Sequence, residues 1–178
     1  MDMSLKPQDV VVAPKILASG WPGSFAALGH EVGLSVSEAH AALRRAQLSG
    51  LIEQTDYRPH PVSIAEFLIH GLRYVFPVQL GPSSRGMPTS YAASPLKQKF
   101  SLSDEEVIPV WPDPEGQVRG YEFAPLCRSV PQAARQDPKL YEWLVLADAL
   151  RGGRAREREL ATQIVCQRLK YEIQGSNY

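Results

Sequence analysis

The stretch SFAALGHEVGLSVSEAHAALRRAQLSGLI, residues 24–52, has the pattern of two short helices joined by a tight turn. Phe25, Leu28 and Val32 recur at helical spacing and give the first helix an apolar stripe. Gly33 follows this stripe directly. Because glycine readily adopts the left-handed conformation that closes a helix, we expect the first helix to end there.

The second helix of this stretch has a start signal and a stop signal. Ser35 and Glu38 have the spacing of a capping box, in which each residue accepts a hydrogen bond from the backbone of the other. Gly50 predicts the helix end, and an extended run begins after it. The expected buried side consists of Ala39, Ala42, Leu43 and Ala46. These residues are mostly small, so we expect the two helices to cross closely.

In this order, the stretch resembles the helix-turn-helix of winged-helix transcription regulators, the MarR-like and related bacterial families. A turn of the type G-L-S-x-S before the recognition helix and a G-L-I step into the wing carry the resemblance. The matching residues are Gly33, Leu34, Ser35, Ser37, Leu43, Gly50, Leu51 and Ile52. The resemblance covers about the first third of the chain and implies a mainly α fold with a small β wing.

The resemblance also implies an interface with double-stranded DNA. The helix over residues 37–49 would enter the major groove, and the wing over residues 53–61 would touch the minor groove or the backbone. The residues that we expect to contact DNA are Ser35, Ser37, Glu38, His40, Ala41, Arg44, Arg45, Arg58 and His60. Glu38 has two interpretations, since it can accept from cytosine or only cap its own helix. The alternative to DNA binding is an ordinary solvated helix in a small helical bundle.

The charge balance does not favour strong DNA binding by a single copy. The chain carries 19 basic and 19 acidic residues, and residues 1–60 are slightly acidic. We therefore expect a homodimer on a palindromic operator, because two half-sites roughly double the binding free energy. Further positive charge is available at the start of the last helix, from Arg154, Arg156 and Arg158.

Helices are expected on both sides of the winged helix-turn-helix. Ser4 has the pattern of a helix cap, and Pro14 should kink or split that first helix. Ser63 and Glu66 have the spacing of a second capping box and begin an apolar linking helix that Pro77 ends.

The rest of the chain divides into an irregular part and a helical part. Prolines and glycines recur through residues 78–135, which predicts irregular structure. Within that segment, residues 107–111 and 117–123 flank a Pro-Asp-Pro-Glu-Gly turn and predict a hairpin. Asp137 marks the first of two C-terminal helices. We thus divide the chain into a winged helix-turn-helix domain, residues 1–61, and a helical and irregular scaffold and dimerisation region, residues 62–178.

The sequence contains little that indicates an enzyme, a cofactor or a metal. No phosphate-binding loop, dinucleotide fingerprint or nucleophile motif is present. The four histidines match no metal-ligand spacing. Cys127 and Cys166 match no metal or redox spacing, although Cys127 beside Arg128 could be a redox-sensing thiol. The absence of a membrane-spanning run or a secretion signal predicts a cytoplasmic location with no membrane partner.

A competing hypothesis is an interaction protein, such as an antitoxin or a defence-operon component, whose C-terminal extension binds a partner protein. Exposed Trp111, Tyr121 or Phe123 would indicate such a partner, because aromatic side chains dominate binding hot spots. If buried, the same residues would attach the extension to the core. The sequence leaves both outcomes open.

Overall fold

Three helices form the N-terminal part of the protein. The structure is a computed structural model that describes residues 3–173. The helices are α1 (Pro7–Ser19), α2 (Phe25–Val32) and α3 (Val36–Leu48). The prediction that α1 starts at a Ser4 cap is wrong. The helix begins at Pro7, where the Asp9 carboxylate accepts a 2.8 Å hydrogen bond from the Lys6 backbone N–H.

The middle of helix α1, residues 9–16, is buried on every side. Val10, Val11, Val12 and Ala13 are each at most 1% exposed, although they point in successive directions around the helix. The surrounding helices include α2, α3 and α7 (Pro138–Gly152). The helix runs without a break across Pro14, which lies inside it. Because it is buried on all sides, this part of α1 is a central element of the core.

The predicted turn between α2 and α3 is confirmed. Gly33 has φ 70° and ψ 32°, the left-handed conformation, and its N–H donates to the Gly29 carbonyl. The Ser24 side chain accepts a 3.0 Å hydrogen bond from the Ala27 N–H and so caps α2. The predicted capping box of Ser35 and Glu38 is also present at the start of α3.

A short loop and a continuous helical segment follow α3. Ile52 and Pro59 form an isolated antiparallel bridge, and residues 53–58 make the loop between them. The chain then forms α4 (Pro61–Glu66), a π-helical turn (Phe67–Gly71) and α5 (Leu72–Val75). The predicted helix start at a Ser63 cap is wrong, because Pro61 already occupies the first helical position. Proline is favoured there, since its missing N–H needs no partner.

Three strands make the small β part of the protein: β1 (Leu80–Pro88), β2 (Pro109–Pro112) and β3 (Val118–Phe123). β1 pairs antiparallel with both β2 and β3, so β2 and β3 run parallel and close the arrangement into a small barrel. The predicted hairpin is therefore wrong in its pairing, although both of its strands exist. β1 lies in a segment for which we expected irregular structure.

The C-terminal part consists of α6 (Val130–Gln136), α7 and α8 (Ala155–Leu169). As predicted, Asp137 caps α7, accepting from the Lys139 N–H at 3.0 Å and the Leu140 N–H at 3.1 Å. Helix α6 was not predicted. The protein is mainly α-helical with a small β region. No helix within residues 3–173 has the length and apolar character needed to cross a bilayer.

Two polar clusters join the N-terminal, β and C-terminal parts. The Lys15 ammonium of α1 contacts Asp137 at 2.6 Å and Glu31 at 2.8 Å. Asp148 of α7 accepts from Thr89 and from the Trp111 indole, both at 2.7 Å, and forms an ion pair with Arg151 at 2.8 Å. Both clusters satisfy charges that would otherwise be costly in an apolar interior. Apolar residues of all three parts also form one continuous core.

Candidate nucleic-acid interface on the third helix

Small residues bring α3 close to its neighbours. Ala39, Ala42 and Ala46 are fully buried, at 0% exposure. The turn before α3 is equally tight, because a Cβ added to Gly29 would lie 2.6 Å from the Leu34 carbonyl oxygen. The buried side of α3 is therefore fixed, and its opposite side must face solvent.

The solvent side of α3 is a continuous face of mixed chemistry. Its exposed residues are Val36, Ser37, Glu38, His40, Arg44 and Leu48, and Ala41 is half-buried between them. This face contains two large apolar side chains that are exposed: Val36 is 55% and Leu48 is 43% exposed. Neither was predicted as a site residue, although the spacing of Val36, His40 and Arg44 places all three on one line of a helix. We call these seven residues the α3 face.

The side chains of Ser35 and Glu38 form the capping box at the start of α3. Glu38 accepts from the Ser35 N–H at 2.8 Å and from the Ser35 hydroxyl at 2.6 Å. The hydrogen bonds from the Ser35 side chain and backbone hold the pKa of Glu38 below its usual value. Of the two interpretations that the sequence allows for Glu38, the structure shows the cap.

The prediction that α3 exposes Arg45 to DNA is wrong. Arg45 is only 9% exposed, and its guanidinium forms two hydrogen bonds of 2.8 Å with the carboxylate of Asp9. Asp9 itself is 0% exposed. Arg45 follows Ala42 by three residues and precedes Ala46 by one, so it lies on the side of α3 that packs on α1. It positions α3 within the core.

Arg44 is the cation that the fold leaves available on the α3 face. Within residues 3–173, its guanidinium has no ion pair and no hydrogen bond. The basic residues of the following loop differ in this respect. Arg58 forms an ion pair with Asp56, and His60 Nε2 lies 3.4 Å from the Glu53 carboxylate. Phosphate contacts from this loop would need those pairs to separate.

An aromatic cluster that the sequence did not predict fixes the loop against α2 and α3. Tyr57 has φ 58°, and its ring stacks on Trp21 with a centroid distance of 4.3 Å. Phe25 meets Trp21 edge-on at 5.2 Å and His40 edge-on at 4.7 Å. The loop is thus packed beside the start of α2, and one side of the His40 ring contacts Phe25. Ring contacts of this kind contribute about 0.5–1.5 kcal/mol each beyond area burial.

Histidine and cysteine side chains form no metal centre in residues 3–173, where no group of three potential ligands is found. Burial raises the pKa of Cys127 against the opposing effect of hydrogen bonds from Ser129. Burial likewise raises the pKa of Cys166. Both thiols are therefore protonated at neutral pH, which disfavours the redox-sensing alternative for Cys127 because the thiolate is the reactive form.

Comparison of the chain with models of known protein families, with curated proteins and with solved structures finds no match. Any role of the α3 face must therefore be inferred from its own geometry and chemistry.

Proposed function

We propose that the protein is a bacterial transcription regulator that binds double-stranded DNA with the α3 face. The observation that carries this proposal is the guanidinium of Arg44, which is exposed and has no ion pair within residues 3–173, on a helix whose opposite side is buried against the core. A rigid helix with an outward polar side is the element that helix-turn-helix proteins place in the major groove.

The order of the neighbouring elements supports the same proposal. Three helices, a left-handed turn at Gly33 and a bridged loop after α3 follow one another as in winged helix-turn-helix proteins. The loop over residues 53–58 would be a short wing. Its cations are close to carboxylates, so in this proposal the wing positions the protein on the backbone and contributes little affinity.

Four residues of the α3 face have a suitable chemical role in a major groove. Arg44 can donate two hydrogen bonds to O6 and N7 of guanine, the commonest specific contact to a base edge. Ser37 and His40 can bind base edges or phosphates. Val36 offers an apolar surface for the methyl group of thymine.

Dimerisation is part of the proposal. One helix with a single unpaired arginine neutralises few phosphates, and the phosphate contacts dominate affinity. A homodimer on a palindromic operator in the cytoplasm would present two such helices, separated by about 34–36 Å or a multiple of that distance. Equilibrium sedimentation of the protein, with and without the operator duplex, measures this stoichiometry.

We propose DNA binding in preference to an antitoxin-like interaction protein. That alternative depended on exposed aromatic residues in the extension. Trp111 is 0% and Phe123 is 2% exposed, so these side chains attach the β part to the helical core. Tyr121 is half-buried.

Fluorescence anisotropy tests the proposal, with a labelled duplex from the region upstream of the coding sequence, a scrambled duplex, and two salt concentrations. We expect tighter binding to the native duplex, weakening as salt rises. Arg44→Ala should weaken specific binding by about 1–3 kcal/mol, or about 5- to 150-fold in Kd. Arg119→Ala, which removes an exposed arginine from β3, is the matched control and should bind as the wild type does. Equal binding to both duplexes, or an Arg44→Ala variant that binds normally, would contradict the proposal.

A further inference from the structure

A large cavity lies on the β side of the protein, away from the α3 face. It is enclosed by the small barrel, by residues 99–107 and by the start of α8, and it opens to solvent on one side. Its volume is about 1090 Å³. Pockets for small molecules in proteins commonly measure about 300–1,000 Å³, so this cavity can hold an organic ligand.

One part of the cavity lining is apolar and aromatic. The rings of Tyr91 and Phe100 lie 5.8 Å apart between centroids. Leu80 and Val107 also line the cavity, and they are 62% and 61% exposed. Large aliphatic side chains this exposed, beside aromatic rings in one concave surface, are typical of a binding site for an apolar group.

Another part of the lining carries unpaired positive charge. Lys99, Arg154 and Arg156 are exposed, and none of them has a carboxylate within 4.0 Å in the part of the chain that the structure describes. The guanidinium of Arg156 lies over the Phe100 ring, 5.7 Å from its centroid. The first turn of α8, a helix of 15 residues, adds the positive end of its dipole.

The two acidic residues of the lining do not cancel this charge. Glu157 accepts a 2.8 Å hydrogen bond from the Arg154 backbone N–H and so caps α8. Glu106 is exposed on the segment that covers the cavity. Three cations thus face two carboxylates, one of which serves its own helix.

Two phenols in the lining, which are hydrogen-bonded to each other, can supply one O–H donor to a ligand. Burial and the neighbouring Tyr121 hydroxyl raise the pKa of Tyr91, and burial raises the pKa of Tyr121. Both hydroxyls therefore keep their protons at neutral pH. A phenol can donate to a carboxylate oxygen, and such charge-assisted hydrogen bonds are stronger than neutral ones.

We propose that this cavity binds a small aromatic carboxylate, with its ring against Phe100, Leu80 and Val107 and its anionic group near Arg154 and Arg156. The cavity is too large and too apolar at its rim for an inorganic anion alone. A neutral aromatic compound would leave the cations of the lining unused. This inference does not depend on DNA binding by the α3 face.

Isothermal titration calorimetry of the full chain with 2-naphthoate tests the proposal. We expect saturable binding of one molecule per chain. The double variant Arg154→Ala and Arg156→Ala should bind at least about tenfold more weakly, since it removes both guanidinium groups that would donate charge-assisted hydrogen bonds to the carboxylate. Val107→Asp should also weaken binding about tenfold by adding a negative charge at the rim. Val107 is exposed, so this change should leave the fold intact.

Arg119→Ala is the matched control, because it removes an exposed arginine outside this cavity, and it should bind 2-naphthoate normally.

Two further ligands test separately the roles of the aromatic ring and of the carboxylate in the proposed ligand. Neutral 2-naphthalenemethanol and inorganic phosphate should each bind at least about tenfold more weakly than 2-naphthoate. Equal binding of the alcohol would overturn the role of the cations, and equal binding of phosphate would overturn the role of the aromatic lining. Absence of saturable binding by the wild type would overturn the whole inference.

Discussion

Arg45 of α3 donates two hydrogen bonds of 2.8 Å to the carboxylate of Asp9 in α1, and both side chains are buried. A pair with this fork geometry permits little rotation of one helix against the other. The adjacent residue, Arg44, points to solvent. The two neighbouring arginines thus differ, since Arg45 orients the helix and Arg44 is exposed.

Asp9→Ala should destabilise the protein by about 3–5 kcal/mol, because it leaves the Arg45 charge buried without a partner. Urea unfolding followed by circular dichroism measures the change. Arg44→Ala is the control on the same helix, and an exposed substitution of this kind should stay within about 0.5 kcal/mol of the wild type. If the two variants unfolded at the same urea concentration, the Asp9–Arg45 pair would have no structural importance.

The pair of Lys15 and Asp137 should make stability depend on pH at both ends of the scale. Burial by itself would raise the pKa of Asp137, but hydrogen bonds from Lys15 and Ser19 outweigh it and lower that pKa from 3.8 to about 2. The carboxylate therefore stabilises the fold fully above pH 3.8, and this contribution is lost as the pH falls towards about 2.

Burial by itself would lower the pKa of Lys15, but hydrogen bonds to Asp137 and Glu31 outweigh the effect of burial and raise that pKa above 10.5. The contribution of Lys15 is fully present below pH 10.5 and is lost at more alkaline pH.

Thermal unfolding of Asp137→Asn at several pH values measures the acid effect. The variant should be less stable than the wild type at pH 7, and the difference should shrink as the pH falls from about 4 to 2. Asp104→Asn, at an exposed position, should follow the wild-type curve throughout. A difference in stability between Asp137→Asn and the wild type that stayed constant across this pH range would contradict the lowered pKa of Asp137.

Gly33→Ala and Gly50→Ala should separate backbone strain from close packing. Both glycines have left-handed φ, 70° and 73°, so alanine costs about 1–2 kcal/mol at either position. A Cβ at Gly33 would in addition lie 2.7 Å from the Ser129 Cβ, whereas at Gly50 it would meet nothing within 4 Å. Gly33→Ala should therefore be the more destabilising change in urea unfolding. Adding Ser129→Gly should recover part of that difference; no recovery would show that the contact with Ser129 is unimportant.

Local signals in the sequence predicted part of the local structure. The caps at Ser35 and Asp137 and the helix end at Gly33 are present, because each needs only residues within a few positions along the chain. The helix starts expected at Ser4 and Ser63 are not present, because prolines at positions 7 and 61 begin those helices instead. Of the two adjacent arginines that we expected on the outer side of α3, Arg44 is exposed and Arg45 is buried.

Pairings between distant residues could not be predicted in this way. The partner of Arg45 is Asp9, which lies 36 residues earlier, and spacing within α3 alone does not reveal it. The barrel requires β1 to pair with two strands that follow much later in the chain. β1 also contains prolines and glycines and lacks a simple alternation of apolar and polar residues, so its sequence resembles a loop.

The cavity was missed for a related reason. Its cations come from the start of α8 and from Lys99, whereas its aromatic rings come from three separate segments. The sequence did show arginines at the start of a helix, where they oppose the helix dipole. That unfavourable placement favours an anionic partner such as the proposed ligand, and only the fold shows which aromatic rings lie beside the arginines.

The burial of residues 9–16 of α1 on every side has a consequence for the protein as it is synthesised. Residues 7–19 leave the ribosome long before α7. The partner of Lys15, Asp137, lies 122 residues later in the chain and is synthesised only after them. Until then, the valines of α1 have no cover on the side that α7 later occupies. A nascent chain in this state exposes a strongly apolar helix to the cytosol, which is the kind of segment that chaperones bind. Folding of the N-terminal helices should therefore be completed only after α7 has emerged.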